Sequence, residues 1–248
     1  MKGMIFAAGL GTRLRPLTDA MPKALVPVAG VPALGRVIGK LRDAGVEEVI
    51  VNAHHFKERI EDYIARTDFG VSVRVSAEDG GEPLETGGGI KHAEPLLRGG
   101  SGRFLVHNVD IVSNLDLKYF LERDAEGDSL ATLLVTRRPS DRYLLFDEQM
   151  HLCGWTNVRT GVVKSPYKNF DPARSRRFSF CGVHCISERV FDLMSGFPDK
   201  FGIVDFYLCA CAENKIRGIE VPDLEFIDIG TPESLKAAQE WFCGKTAR

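Results

Sequence analysis

The chain has 248 residues, of which 44% are apolar and 27% charged, and its 32 basic and 34 acidic residues leave a net charge of −2. This length fits one α/β domain with insertions, and the balanced charge argues against a nucleic acid or an acidic membrane surface as partner. No segment approaches the roughly 18 apolar residues of a membrane span, because Arg13 and Arg15 interrupt the apolar N-terminal run. We expect a cytoplasmic protein that acts on small molecules, as a monomer or a homodimer.

The first half of the chain alternates strand and helix patterns. Short apolar or alternating runs predict strands at MIFAA (4–8), EEVIVN (47–52), VSVRVS (71–76) and FLVHN (104–108). Helical spacing predicts helices at PALGRVIGKLRDAG (32–45), FKERIEDYIAR (56–66) and GGIKHAEPLL (88–97), the last beginning at its glycines. This order is typical of an α/β fold, with a Rossmann-like, mostly parallel central sheet flanked by helices, in which ligands bind at the carboxyl ends of the strands.

From about residue 137 the pattern changes to a mixed, partly antiparallel insertion. A hairpin is predicted over RYLLFDEQMHLCGWTNV (142–158), followed by a strand with an internal glycine, RFSFCGVHCI (177–186). The remaining predicted elements are helices SERVFDLMSG (187–196) and VDFYLCACAEN (204–214), strands IRGIEV (216–221) and EFIDI (225–229), and a final helix opened by Thr231. We expect this half to form a lid or a substrate wall.

The loop after the first strand, AAGLGTRLRP, is the most informative segment. It is not a P-loop, which ends in G-K-[ST], and it lacks the third glycine of a dinucleotide fingerprint, where Leu14 stands. Gly9 and Gly11 let backbone N–H groups approach a phosphate or a base edge, while Arg13 and Lys23 supply two cations. The pattern predicts a site for several negative charges, unless the two cations are ordinary solvated surface residues.

Two aspartates follow predicted strands and should lie at the same rim of the sheet. Asp110 comes after FLVHNV, and Asp228 lies in EFIDIGTPESL at a strand-to-helix junction. Mg²⁺ typically takes one or two carboxylates together with substrate phosphates, so this pair predicts a metal–nucleotide site. For Asp228 the alternative is a simple cap of the final helix.

The motifs MIFAAGLGTRLRPLT, PKALVPVAGVP, GEPLETGGGI, LVHNVDI and FIDIGTPESL, in this order, resemble those of the sugar-1-phosphate nucleotidyltransferases. This resemblance spans nearly the whole chain and implies the nucleotide-diphospho-sugar transferase fold as a single domain, 1–248. Residues 1–136 would bind the nucleotide, and residues 137–248 the sugar. It also implies an enzyme that converts a nucleoside triphosphate and a sugar 1-phosphate to a nucleoside diphosphate sugar and pyrophosphate, with Mg²⁺ as cofactor.

Roles for individual residues follow from the same resemblance. Arg13 and Lys23 would bind the triphosphate and stabilise charge on the departing pyrophosphate, and Asp110 and Asp228 would hold Mg²⁺. The other residues implied in nucleotide binding are Ala8, Gly9, Gly11, Thr12, Gly87 and Gly88, of which Ala8, Gly9, Gly87 and Gly88 would face the base. On the sugar side the resemblance implies Asn108 and Gly182.

The chain departs from the family pattern in two places. Val109 stands where the family has glycine before the metal aspartate, and the family's Glu-Lys-Pro on the sugar side has only Lys164 as a counterpart. An active enzyme is still expected, since Arg13, Lys23 and Asp110 are all retained. The alternative is a relative that binds a nucleotide sugar without catalysis. A dinucleotide-dependent enzyme would need an acidic residue where Asn52 ends the second strand.

The substrates are the least defined feature. The LETGGG segment is most similar to uridylyltransferases acting on muramic-type sugars, which predicts UTP and an N-acetylated amino-sugar 1-phosphate. The alternative is GTP with mannose 1-phosphate. A basic stretch could bind a carboxylate on the sugar, or it could be a solvated loop; it comprises Lys164, Lys168, Arg174, Arg176 and Arg177.

Overall fold

The structure, a computed structural model, describes residues 1–246 of the chain. Its strands are β1 (Lys2–Phe6), β2 (Pro27–Val28), β3 (Val31–Pro32), β4 (Glu48–Ala53), β5 (Ser72–Ala77), β6 (Arg103–Asn108), β7 (Ile111–Ser113), β8 (Ala131–Thr136), β9 (Arg142–Phe146), β10 (Leu152–Asn157), β11 (Val162–Lys164), β12 (Arg176–Ser187), β13 (Ile216–Glu220) and β14 (Phe226–Asp228). Its helices are α1 (Ala33–Asp43), α2 (Lys57–Ala65), α3 (Glu85–His92), α4 (Glu94–Leu97), α5 (Leu117–Ala125), α6 (Val190–Met194), α7 (Ile203–Ala210) and α8 (Pro232–Thr246). Among residues 1–246, every helix is too short or too polar to cross a membrane.

The central sheet confirms the predicted fold class. Strands β6, β1, β4 and β5 are neighbours in this order and all parallel. Because helices cover both faces of this part, β1, β4 and β6 have buried interiors and are continuous apolar runs. On the other side of β6 the sheet continues antiparallel through β12, which also pairs with β8 and β9. The mixed half therefore extends the same sheet.

Two apolar clusters lie on opposite faces of the sheet. Consecutive strand residues point to opposite faces, so Ile5 belongs to one cluster and Met4 to the other. The first cluster includes Leu34 of α1 and Phe120 of α5, and the second includes Phe206 of α7. Helices of both halves therefore pack on this sheet, and its exposed carboxyl ends remain free to form a site.

The sequence patterns missed or misplaced several elements. The first strand is β1, which ends at Phe6, so Ala7 and Ala8 already belong to the loop. Helix α3 begins at Glu85, which places the three glycines inside the helix rather than at its start. The patterns also failed to predict α5 and β8, although β8 is a buried apolar run that pairs with β12 and β13. The final helix begins after Thr231, as predicted.

Candidate active site

A cavity of about 340 Å³ lies at the carboxyl ends of β1, β4 and β6. It contains most of the residues that the sequence singled out: Ala8, Gly9, Gly11, Thr12, Arg13, Lys23, Asn108 and Asp110. A larger cavity of about 710 Å³ between α1 and α5 contains none of them. The chemistry of the lining residues, rather than cavity size, therefore identifies the candidate site.

The opening loop is held by close packing around Gly11. Gly11 has a φ of 63°, and a Cβ added there would lie 3.0 Å from Thr18 Cγ2 and 3.1 Å from Lys23 Cβ. The Thr18 hydroxyl donates a hydrogen bond of 2.7 Å to the Gly11 carbonyl oxygen. Only glycine combines this left-handed conformation with such a close approach. The turn thereby brings Arg13 and Lys23, ten residues apart in sequence, into one cavity.

Lys23 lies between the two predicted metal ligands. Its side chain is buried, its ammonium donates a hydrogen bond to Asp110 Oδ2, and it lies 4.0 Å from Asp228 Oδ1. The two aspartates are neighbours because β14 pairs with β7, and the Ile229 N–H donates to the Asp110 carbonyl oxygen at 2.9 Å. Lys23 is therefore a buried charge between two carboxylates, which excludes the solvated-surface alternative for this residue.

Asp228 has a buried oxygen without a hydrogen-bond donor among residues 1–246, although the Lys23 ammonium lies 4.0 Å away. Its Oδ1 is buried and accepts no hydrogen bond from any described residue. The final helix is capped by other groups, because the Ser234 N–H donates to Thr231 Oγ1 at 3.2 Å. The helix-cap alternative for Asp228 is therefore wrong.

The donors at this position fit Mg²⁺. Two carboxylates meet here, one of them with a buried oxygen that accepts no hydrogen bond from the described part of the chain, and Mg²⁺ completes its shell with phosphate oxygens and water. Within residues 1–246 no group of three or more His, Cys, Asp or Glu side chains forms a complete metal cage. A cation held here would consequently depend on ligands from the substrate.

Arg13 lies at the rim of the cavity. It is exposed, and it forms no hydrogen bond or ion pair with a described residue. A Cβ on Gly230 would lie 2.7 Å from Arg13 Nη2 and 2.8 Å from Asp228 Oδ1, so only glycine leaves room for the arginine beside Asp228. The guanidinium fork is therefore available to an anion in the cavity.

Gly87 and Gly88, for which the resemblance implies base contacts, do not line the cavity and pack against the segment before α7. Their N–H groups donate to the Phe201 carbonyl oxygen at 2.9 and 3.1 Å. A Cβ on Gly87 would lie 2.3 Å from the Phe201 ring, and one on Gly88 would lie 2.0 Å from the Asp199 carbonyl oxygen. The two glycines thus allow α3 to pack closely on the segment before α7.

A buried polar pair at the cavity was missed by the sequence analysis. Asn52 Nδ2 donates to Glu78 Oε1 at 2.7 Å, and the Leu84 N–H donates to Glu78 Oε2 at 2.9 Å. The side chains of Asn52 and Glu78 are both buried and line the cavity. Each lies in or just after a predicted strand at the carboxyl rim, and that position was the available signal.

The two predicted sugar-side residues contact each other. Gly182 has a φ of 70° at a bulge in β12, and a Cβ there would lie 2.5 Å from Asn108 Nδ2. Asn108 lines the cavity, whereas Gly182 packs behind it. The carbonyl oxygen of Asn108 is 2.7 Å from Nδ1 of His107, a residue whose pKa is lowered to about 4 by burial.

Residues 2–143 match the protein-family model described as nucleotidyl transferase. The chain belongs to this family. Over 245 residues it is 46% identical to N-acetylmuramate alpha-1-phosphate uridylyltransferase of Caulobacter vibrioides, covering 95% of this chain and 94% of that protein. It is 28% identical to mannose-1-phosphate guanyltransferase 2 of Candida glabrata, covering 96% of this chain and 63% of that protein.

Among solved structures, the nucleotidyltransferase is similar to HddC from Yersinia pseudotuberculosis complexed with GMP-PN. The TM-score is 0.73 at 26% identity, with 97% of this chain and 99% of that chain covered. Together with the sequence matches, this confirms both the resemblance to the sugar-1-phosphate nucleotidyltransferases and the predicted enzyme class.

The nucleotidyltransferase has a second cavity of about 460 Å³ in its mixed half. Of the predicted basic stretch only Lys164 lines it, and Lys164 is paired with Asp205 at 2.9 Å. The other cations of the stretch are exposed and lie outside this cavity: Lys168, Arg174, Arg176 and Arg177. Two arginines that the sequence analysis did not single out, Arg138 and Arg142, line it instead.

Proposed function

We propose that this nucleotidyltransferase transfers a uridylyl group from UTP to an N-acetylated amino-sugar 1-phosphate of the muramate type. The observation that carries the reaction is that Lys23, which lines the cavity with Arg13 and Asp110, lies between Asp110 and Asp228. The identity of 46% over nearly the full length of both chains supports the choice of substrates.

In the proposed step, an oxygen of the sugar 1-phosphate attacks the α-phosphorus of UTP. A new bond forms between this oxygen and the α-phosphorus, the bond from the α-phosphorus to the oxygen bridging to the β-phosphorus breaks, and pyrophosphate leaves. The nucleophile is already an anion, so the protein needs no Ser, Cys or His to activate it. Catalysis then depends on positioning and on charge stabilisation.

Each charged residue has a role that matches its surroundings. Arg13 binds triphosphate oxygens through its free fork, and Lys23 adds a positive charge next to the reacting phosphates. Asp110 and Asp228 would hold Mg²⁺, with the Asp228 oxygen that accepts no hydrogen bond from a described residue as one ligand. Bound there, Mg²⁺ would stabilise negative charge on the phosphate oxygens.

The proposed base end of the cavity lies between the opening loop and the Asn52–Glu78 pair. Uracil offers one N–H donor and two carbonyl acceptors, which a buried carboxylate, an amide and backbone N–H groups could satisfy. Ala8, Gly9, Gly11 and Thr12 supply backbone there, and no side chain lies within 4 Å of a Cβ placed on Gly9. Asn108 and Gly182 stand on the proposed sugar side.

Guanylyl transfer to mannose 1-phosphate is the second candidate. It is favoured by the Candida glabrata relative and by the HddC structure with GMP-PN. Steady-state kcat/KM for UTP with N-acetylmuramate 1-phosphate and for GTP with mannose 1-phosphate, on one preparation with Mg²⁺, separates the two. We expect the first pair to be preferred; a tenfold or larger preference for the second, about 1.4 kcal/mol, would contradict our choice of substrates.

The remaining parts of the proposal concern the whole protein. We propose that residues 1–136 bind the nucleotide and that the sugar is bound by residues 137–248, of which 247 and 248 lie outside the described residues. We also propose a cytoplasmic enzyme that is a monomer or a homodimer and has no nucleic acid or membrane partner. Light scattering coupled to size exclusion tests the oligomeric state.

A further inference from the structure

The second cavity contains an arginine without a partner. Arg138 Nε is buried and has no hydrogen-bond partner among the described residues, and no described carboxylate forms an ion pair with this guanidinium. Its charged group stacks on the Phe226 ring, with Cζ 4.4 Å from the ring centroid. A half-buried guanidinium without an anion is costly, and ligand sites are a common reason for retaining one.

Neighbouring groups leave the charge of Arg138 uncompensated. The thiol of Cys181, which lies near Arg138, is neutral because burial raises its pKa to about 12. The carboxylate in this cavity, Asp205, is already paired with Lys164. Arg142 lines the same cavity and forms no ion pair with a described residue. The cavity therefore has an excess of positive charge.

The position of Arg138 relates the second cavity to the proposed reaction centre. Phe226, on which Arg138 stacks, precedes Asp228 by two residues in β14. Residues two apart in a strand point to the same side and lie roughly 7 Å apart. The guanidinium therefore stacks on the same strand that carries the proposed metal ligand Asp228, two residues before it.

The rest of the second cavity suits a sugar derivative. Trp155 lines it, with Lys164 Nζ 5.4 Å from the centre of its ring, and Asn157, Ser140 and Ser179 offer hydrogen-bonding groups. Strand β12 connects the two cavities, since Ser179 lines this one and Gly182 contacts Asn108 of the other. A sugar whose 1-phosphate lies at Asp110 could extend along β12 to this cavity.

We propose that Arg138, assisted by Arg142, binds a carboxylate carried by the acceptor sugar. This inference rests on the proposed function: the sugar's 1-phosphate lies at Asp110 and Asp228, so the group that reaches Arg138 belongs to another part of the sugar. A muramate-type sugar carries such a carboxylate in its lactyl ether. The planar fork of Arg138 matches a carboxylate with two parallel hydrogen bonds.

The test compares two acceptors that differ only in this group: N-acetylmuramate 1-phosphate and N-acetylglucosamine 1-phosphate, which lacks the lactyl ether. We expect the wild type to prefer the first by roughly 10- to 100-fold in kcat/KM with UTP. Arg138→Met keeps the apolar contact with Phe226 and should lose this preference. We expect its kcat/KM to fall with N-acetylmuramate 1-phosphate and to stay unchanged with N-acetylglucosamine 1-phosphate. Arg138→Lys, which keeps the charge but not the fork, should give an intermediate preference.

Arg137→Met is the matched control, because Arg137 is adjacent in sequence but exposed and paired with Glu220 at 2.9 Å. It should leave the preference unchanged. An equal loss on both acceptors in Arg138→Met would mean that Arg138 binds a group common to both, and an unchanged preference would mean that it binds neither. Either result overturns the proposal. A wild type that uses neither acceptor with UTP contradicts the proposed function itself, and the proposal for Arg138 fails with it.

Discussion

The two cavities differ in how their residues are distributed along the chain. In the cavity at the carboxyl ends of β1, β4 and β6, Arg13 and Lys23 lie in one continuous motif, and Asp110 lies between β6 and β7. Asp228, beside Lys23, is the last residue of β14. In the second cavity the unpaired cations come from the segment between β8 and β9 and from β9, without a recognisable motif. The residues proposed to act on phosphates are therefore recognisable in this sequence, whereas those proposed to select the sugar are not.

The strongest test of this comparison is the proposed metal site. Asp110→Asn should reduce kcat by 10³-fold or more, because one negative charge is lost with almost no change in volume. Asp228→Asn should act in the same way. Turnover at saturating Mg²⁺, together with thermal unfolding, measures both.

Thr231→Ala is the control for this test, since Thr231 caps α8 from the same turn as Asp228. It should cost about 1 kcal/mol of stability and leave kcat nearly unchanged. Near wild-type turnover in Asp110→Asn would remove Asp110 from the reaction.

A second test concerns the arginine at the cavity rim. Arg13→Lys keeps the charge but loses the planar fork, so we expect kcat to fall on the order of 10²-fold. Arg15→Lys is the matched control, because Arg15 is exposed and pairs with Asp19 at 3.2 Å. Equal kcat values for Arg13→Lys and the wild type would show that Arg13 is a surface charge.

A third test separates two kinds of glycine. Gly87→Ala should destabilise the fold by about 1–3 kcal/mol, because its Cβ would overlap the Phe201 ring, while KM for the nucleotide stays the same. Gly9→Ala should leave the stability unchanged and raise KM for the nucleotide. Its Cβ meets nothing within 4 Å in the protein but would enter the proposed base site. Chemical denaturation and nucleotide titration measure the pair. A higher KM for the nucleotide in Gly87→Ala, without a loss of stability, would support the base contact that the packing argues against.

The smallest expected effect concerns pH and the buried His107 beside the cavity. Burial lowers its pKa to about 4, whereas the unfolded chain takes up the proton near pH 6.5. Stability is therefore fully present above pH 6.5 and is lost as the pH falls towards 4, by on the order of 3 kcal/mol for this group. His184, buried with a pKa of about 3, should add to the same trend.

Urea unfolding between pH 7.5 and 4.5 measures this dependence. His107→Gln should reduce its slope, whereas His55→Gln, at an exposed position, should not. Identical slopes for the wild type and His107→Gln would mean that His107 takes up its proton at the same pH in the folded and in the unfolded protein.

The glycines of α3 illustrate why part of the site could not be predicted from the sequence. The three glycines of LETGGG were visible, but which of them faces the cavity depends on helical phase and on what packs against α3. Gly89 would place a Cβ 3.2 Å from Glu78 Oε1, while Gly87 and Gly88 face the segment around Phe201, more than 100 residues later in the chain. A run of identical residues has no periodicity from which the phase could be read.

The sequence by itself determined the alternating strands and helices of the first half up to β6, the opening loop with Arg13 and Lys23, and the rim positions of Asp110 and Asp228. These features depend on local rules: apolar periodicity, glycine in a tight turn, and the common edge of parallel strands. Only the tertiary structure decided that Lys23 lies between the two aspartates, that Asn52 pairs with Glu78, and that Arg138 remains unpaired. Each of these depends on side chains from distant segments, whose distances are determined by the packing of the sheet and not by spacing along the chain.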